Sequence, residues 1–124
     1  MARHNQTGRW GENVATEYLV TRGYDILERN WRLNHLEIDI IARQGQRISF
    51  IEVKSRNTDE HIDPIDLITP RKVGFMRSCA NAYMSQYGDN FSCQFDFIFV
   101  MGSPNDYTVE HFPDAFFPPM KTYR

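Results

Sequence analysis

Two apolar stretches that carry charge in their interiors constrain this chain most. They are Leu36-Glu37-Ile38-Asp39-Ile40-Ile41-Ala42, then a short polar turn, then Ile48-Ser49-Phe50-Ile51-Glu52-Val53-Lys54-Ser55-Arg56. β-Branched residues dominate and the turn between the runs is short, so the spacing predicts a strand hairpin. Side chains two apart on a strand share a face. Strict alternation therefore puts Glu37, Asp39 and Ile41 on one face of the first strand and Ile38, Ile40 and Ala42 on the other. On the second strand it puts Ile48, Phe50, Glu52 and Lys54 on one face and Ser49, Ile51 and Val53 on the other. Both faces are largely apolar, which is the signature of an interior strand covered on two sides. Charges held in such a strand cost several kcal/mol unless they are paired or bound to a metal.

Length limits the rest. A chain of 124 residues supports one hydrophobic core and not two, so residues 1–124 read as a single domain, with a core over about 8–112 and an apolar tail from 113 to 124. The net charge of -2 argues against a protein that coats nucleic acid by bulk electrostatics. The arginines, Arg3, Arg9, Arg22, Arg29, Arg32, Arg43, Arg47, Arg56, Arg71 and Arg77 among them, are scattered and read first as a solvated face. The N-terminal Met-Ala-Arg-His-Asn-Gln has no apolar segment behind it and no run approaches a membrane span. Neither a signal peptide nor membrane association is expected, and the expected compartment is the cytoplasm. Cys79 and Cys93 read as reduced, partly buried thiols.

Taken in order, residues 9–22 predict a helix, with Trp10, Val14, Ala15, Tyr18 and Leu19 at helical spacing and Gly23 at its end. Glu12 lies on the stripe of Ala15 and Leu19. It reads either as a first-turn carboxylate favoured by the helix dipole or as a functional group turned inward. Tyr24 to Arg32 predicts a strand with Tyr24 and Ile26 opposite Asp25, Leu27 and Arg29, and the hairpin turn Arg43-Gln44-Gly45-Gln46-Arg47 has its glycine in the middle. Residues 57–64 predict a charged loop next to the charged strand end. Thr69-Pro70 predicts the start of a second helix, whose stripe of Val73, Met76, Ala80, Tyr83, Met84 and Tyr87 reads as core, with Gly88 as its end. Phe91 to Met101 and Tyr107 to Phe112 predict two further strands. The tail Phe116-Phe117-Pro118-Pro119-Met120 is apolar enough to cap the sheet or to meet a second subunit. The order is helix, three strands, helix, two strands: an α/β fold in which helices flank a central mixed sheet.

An aspartate on one strand with Glu-x-Lys ending the next supplies what phosphodiester hydrolysis needs. Asp39 and Glu52 offer hard oxygen ligands for Mg²⁺, with Mn²⁺ as a substitute, and the backbone carbonyl of Val53 is placed to add a third. Lys54 would orient the attacking water or neutralise charge building on the phosphoryl oxygens, and Glu12, on a helix packed over this face, would hold the water or complete a second metal shell. The competing reading is a structural ion-pair cluster of Lys54 against Asp39 or Glu52. Zinc-type histidine pairs, close cysteine pairs, a glycine-rich phosphate loop and Gly-x-Ser-x-Gly do not occur.

Spaced motifs then add a resemblance. Gly8-x-x-Gly11-Glu12-x-x-Ala15-x-x-Tyr18-Leu19, Gly23-Tyr24-x-Ile26-Leu27-x-Arg29-Asn30, Glu37-Ile38-Asp39-Ile40-Ile41-Ala42, Glu52-Val53-Lys54-x-Arg56, Lys72 and Phe95-Asp96 resemble the YraN family of bacterial proteins across residues 8–112. That family is similar in fold to the archaeal Holliday junction resolvases and the wider restriction-endonuclease-like superfamily. The resemblance implies that fold, a catalytic set of Glu12, Asp39, Glu52 and Lys54, and Mg²⁺ as cofactor. Leu36 stands where the family usually has glycine, and Gln94 where it usually has arginine.

The expected activity is Mg²⁺-dependent DNA endonuclease action, on branched or recombination-intermediate DNA if the resolvases are a guide. Arg9, Arg29, Arg56 and Lys72 are then candidate nucleic-acid contacts. A homodimer would match a two-fold-symmetric junction, and a partner in recombination, repair or DNA uptake would fit the role. The alternatives are a nucleic-acid-binding or assembly subunit that keeps the fold without cutting, and a protein-interaction domain that docks through the aromatic tail.

Overall fold

A computed structural model describes residues 6–56 and 68–115. Helix α1 (Gln6–Thr21) precedes β1 (Asp25–Leu33), β2 (Leu36–Gln44) and β3 (Arg47–Arg56); α2 (Pro70–Met84), β4 (Ser92–Ser103) and β5 (Asp106–Phe112) follow. The five strands form one sheet in sequence order. Only β3 and β4 run parallel, and the other neighbouring pairs are antiparallel. A parallel pair needs a crossover, and α2 lies within that crossover. The expected element order and mixed sheet are observed. The candidate loop of residues 57–64 and the apolar tail from 116 lie outside the described residues.

Local chemistry sets the ends of the elements. Gly23 adopts φ 90° after α1, and Gly23 N and Tyr24 N donate to Val20 O and Leu19 O. This is the pair of bonds by which a left-handed glycine closes a helix. Thr69 caps α2 through its side-chain oxygen, which accepts from Lys72 N, and Pro70 follows. The helix ends at Met84, short of Gly88, because Tyr87 N turns back to Met84 O at 2.9 Å. Tyr87 nevertheless still packs on the core, so the apolar stripe outlasts the helix. In the β2–β3 turn Gly45 takes φ 64°, as the first central residue of a tight hairpin requires.

Each face of the sheet has its own core. On one, Ile38, Ile41, Ile48 and Phe50 pack with Met76, Cys79, Ala80 and Tyr83 of α2. On the other, Ile40, Ala42, Ile51, Val53, Ile98 and Val100 pack with Ala15 and Leu19 of α1. Strand β3 alternates between them as its sequence predicts. Strand β2 does not: Ile38 faces α2 while Ile40 and Ala42 face α1. The pleat loses a step between Ile38 and Ile40, at Asp39. Its partner β1 does the same, since Arg29 bonds Asn13 of α1 whereas Trp31 packs against the α2 core. Between them Asn30 has φ 52°, a left-handed backbone that asparagine tolerates better than most residues. Arg29 does not share a face with Leu27 either, contrary to simple alternation, because a bulge between Ile26 and Glu28 shifts the β1–β2 register. Cys79 is buried in the α2 core, whereas Cys93 is exposed near the outer start of β4.

Candidate functional site

The lost pleat step coincides with a fork in the sheet. The β2–β3 ladder extends from Gln44–Arg47 only as far as Ile40–Ile51. Beyond it β2 continues along β1 to the Leu33–Leu36 pair, and β3 continues along β4 to Arg56–Met101. Asp39 and Val53 stand at the opening, where Val53 N donates to Asp39 Oδ2 at 2.8 Å. This bond replaces the ladder bond that strand separation removes.

Four carboxylates gather at the fork. Burial and the Glu52 carboxylate, followed by Glu12 and Glu37, push the Asp39 carboxyl well above the usual carboxylate range, against the opposing pull of the Val53 N–H. Glu12 is buried on α1 at 6% exposure and Glu52 on β3 at 7%. Asn30 Nδ2 donates to both Glu12 Oε1 and Glu37 Oε2, each at 3.0 Å. The left-handed turn in β1 thus places one amide between two acids. Arg29 adds a 3.7 Å contact to Glu12, and Arg32 one of 3.4 Å to Glu37. Glu12 owes its depth to Gly11: a Cβ there would come within 2.5 Å of Ser55 Cβ, so only glycine lets α1 seat this closely on β3.

Lysine placement departs from the ion-pair alternative. The Lys54 side chain makes no ion pair or hydrogen bond among the described residues, and Glu52 is met instead by Lys72 Nζ at 2.9 Å. Of the four candidate nucleic-acid contacts, Lys72 reaches the site and Arg29 touches Glu12. Arg56 bonds the carbonyl of Ser55, and Arg9 is exposed on α1. Leu36 packs against the α2 core. Gln94 is occupied at a second buried acid, where Asp96 accepts from Gln94 Nε2, His111 Nε2 and Asp114 N.

The structure brings Asp39 into the electrostatic reach of Glu12 and Glu52. Among the described residues no three Asp, Glu, His or Cys side chains are close enough together to hold a metal ion. Each acid is turned to a donor: Asp39 to Val53 N, Glu52 to Lys72, and Glu12 and Glu37 to Asn30. The donor set is all hard oxygen, and Mg²⁺ commonly uses only one or two carboxylates besides water and phosphate, so its chemistry fits such an ion. Sequence reasoning missed Asn30 and the role of Gly11. A signal for Asn30 was its place inside a strand, between Arg29 and Trp31, where asparagine is a poor β-former.

Among the described residues no helix is long and apolar enough to cross a membrane. The model of the uncharacterised protein family UPF0102 matches residues 11–100, a span that includes the fork, Glu12 and Lys72. The chain is 35% identical to a UPF0102 protein of Phocaeicola vulgatus over 120 residues, 97% of this chain and 99% of the relative. It is 36% identical to one of Bacteroides fragilis over 120 residues, with the same coverage of 97% and 99%. A third, from Christiangramia forsetii, is 37% identical over 117 residues, 94% of this chain and 98% of the relative. The chain therefore belongs to the UPF0102 family, the YraN family that its spaced motifs resemble.

Proposed function

We propose that this protein is a metal-dependent DNA endonuclease, acting on branched or recombination-intermediate DNA. The observation that supports it most is the fork, where two strands part with Asp39 on one side and Glu52-Val53-Lys54 on the other. The fold gains nothing in stability from gathering four acids there, since ionised carboxylates raise one another's cost. A site that keeps them is suited to a cation and an anionic substrate.

Asp39, Glu52 and the Val53 carbonyl are the groups that would hold Mg²⁺, with Glu12 as a further ligand or as the group that orients water. The metal, when bound, supplies Lewis-acid polarisation of the scissile phosphate. Lys54, unpaired among the described residues, offers its ammonium to the negative charge that builds on the phosphoryl oxygens as water attacks phosphorus and the P–O bond breaks. Asn30 holds Glu12 and Glu37 in fixed orientation, which preserves the geometry through the reaction. Arg9, Arg29 and Arg56 are the remaining cations offered to the nucleic-acid backbone.

A second reading is a nuclease-fold subunit that binds nucleic acid without cutting. The Lys72–Glu52 ion pair favours it, because a neutralised Glu52 needs no metal. Cleavage of labelled four-way junction, flap, duplex and single-stranded DNA in Mg²⁺ or Mn²⁺ separates the two. Metal-dependent cuts by wild type, lost in Asp39→Asn and slowed about 10²- to 10³-fold in Lys54→Ala, are expected. Salt-sensitive binding with no cuts on any substrate would select the second reading.

A further inference from the structure

We propose that Lys72 is a resident counter-cation of Glu52 that metal binding displaces, so that loading the site releases a cation for the substrate. This rests on the metal-dependent reading above and assigns it a means of regulation. Lys72 Nζ and Glu52 Oε2 are 2.9 Å apart, with side chains 32% and 10% exposed. The pair is thus a short, partly sheltered, charge-assisted bond and not a surface contact. Glu52 lies on the α2 side of β3, in step with Ile48 and Phe50, and Lys72 sits in the first turn of α2. Its backbone N–H is fixed by the Thr69 cap, whereas its four-carbon stem is flexible. The ammonium can therefore leave without moving the helix.

Lys54 sits two residues beyond Glu52 and makes no ion pair among the described residues, so the structure neutralises Glu52 from the helix and leaves the strand lysine available. A divalent cation on the Glu52 carboxylate would stand beside the Lys72 ammonium, and two cations on one carboxylate repel. Lys72 must then swing away. Once released, it remains tethered within a side-chain length of the fork, where it can meet a phosphate as a point charge. The pair works as an interlock. Without metal, Glu52 is quenched and Lys72 is engaged; with metal, Glu52 ligates and Lys72 is available to the nucleic-acid backbone.

The test is Mn²⁺ titration of the full chain without nucleic acid, followed by the electron paramagnetic resonance of free Mn²⁺, for wild type, Lys72→Met, Lys72→Gln and Asp39→Asn. Both Lys72 variants are expected to bind about tenfold more tightly than wild type, the scale of one lost charge-assisted bond, and Asp39→Asn most weakly. In wild type labelled at lysine, Mg²⁺ should shift the side-chain NMR signal that Lys72→Gln removes. Lys72→Gln preserves a hydrogen-bond donor should Lys72→Met fail to fold. Unchanged or weaker affinity in the Lys72 variants, while wild type binds through Asp39, overturns the displacement and leaves the metal site standing. No Mn²⁺ binding by any of the four overturns both.

Discussion

Gly11→Ala tests how tightly the first helix must seat. A Cβ at residue 11 would lie 2.5 Å from Ser55 Cβ and 2.6 Å from Ser55 Oγ. Carbon atoms in good contact sit about 3.5–4.0 Å apart, so the helix or β3 has to yield by roughly 1 Å. Overpacking on this scale costs about 1–3 kcal/mol. Alanine returns about 1 kcal/mol through its helix propensity, which leaves a net loss of about 0–2 kcal/mol. Removing the opposing side chain isolates the clash. With Ser55→Gly the next atom, Ser55 Cα, is 3.8 Å away, an ordinary contact, and Gly11→Ala should then stabilise by about 1 kcal/mol. Urea unfolding of wild type, both single variants and the double variant gives the coupling, expected at about 1–3 kcal/mol. The adjacent Glu12 would be displaced with the helix, and under the proposed nuclease function a displacement of about 1 Å of that kind is worth about 10²-fold in cleavage rate. Equal stabilisation of wild type and of Ser55→Gly by Gly11→Ala would show that the clash with Ser55 is absent.

Two further outcomes follow from the fork. The Asp39 carboxyl is raised in the folded state by burial and by Glu52, so the native protein holds that proton more tightly than the unfolded chain, and ionised Asp39 opposes folding. The penalty is absent below the unfolded value of about 3.9, grows as pH rises, and is complete above the folded value. Asp39→Asn should therefore stabilise the metal-free protein at pH 7, by about 0.5–2 kcal/mol, the range of single stabilising substitutions, with the advantage shrinking towards pH 4. Denaturation curves showing the variant less stable at pH 7 would contradict this sign. Asn30→Ala loses the amide between Glu12 and Glu37 and forces a Cβ-bearing, non-hydrogen-bonding residue to φ 52°, at a cost of about 1–2 kcal/mol for the backbone. Asn30→Gly restores the backbone without the amide. It should recover most of the stability but not the cleavage rate, and equal stability of the two variants would show that the backbone term is absent.

Periodicity made much of the architecture legible. The two-sided pattern from Ile48 to Val53, the Thr69-Pro70 start and the glycine after α1 each reflect a local rule that tertiary structure left intact. The candidate site was legible to the extent that Asp39 and Glu-x-Lys sit in strands too apolar to be a wet edge. Strict alternation failed at Asp39 because a strand's period of two holds only while the pleat is regular, and Asn30 breaks it from the neighbouring strand. The Lys72–Glu52 pair, 20 residues apart in sequence, depends on how α2 returns across the sheet, which no local pattern specifies. Gly88 misled as a helix end because the apolar stripe continues through Tyr87 in a tighter turn.

Helix α1 is joined to both limbs of the divided sheet. Through Glu12 it is tied to Asn30 on the β1–β2 limb, and through Gly11 it presses on Ser55 of the β3–β4 limb. It is therefore a clasp across a pair of jaws. Spreading the limbs would strain the Glu12–Asn30 bond and relax the close approach of Gly11 to Ser55, whereas drawing them together would do the reverse. The acids sit where the limbs diverge, so through α1 any change in the spread of the limbs is linked to the separation of Asp39 from Glu52.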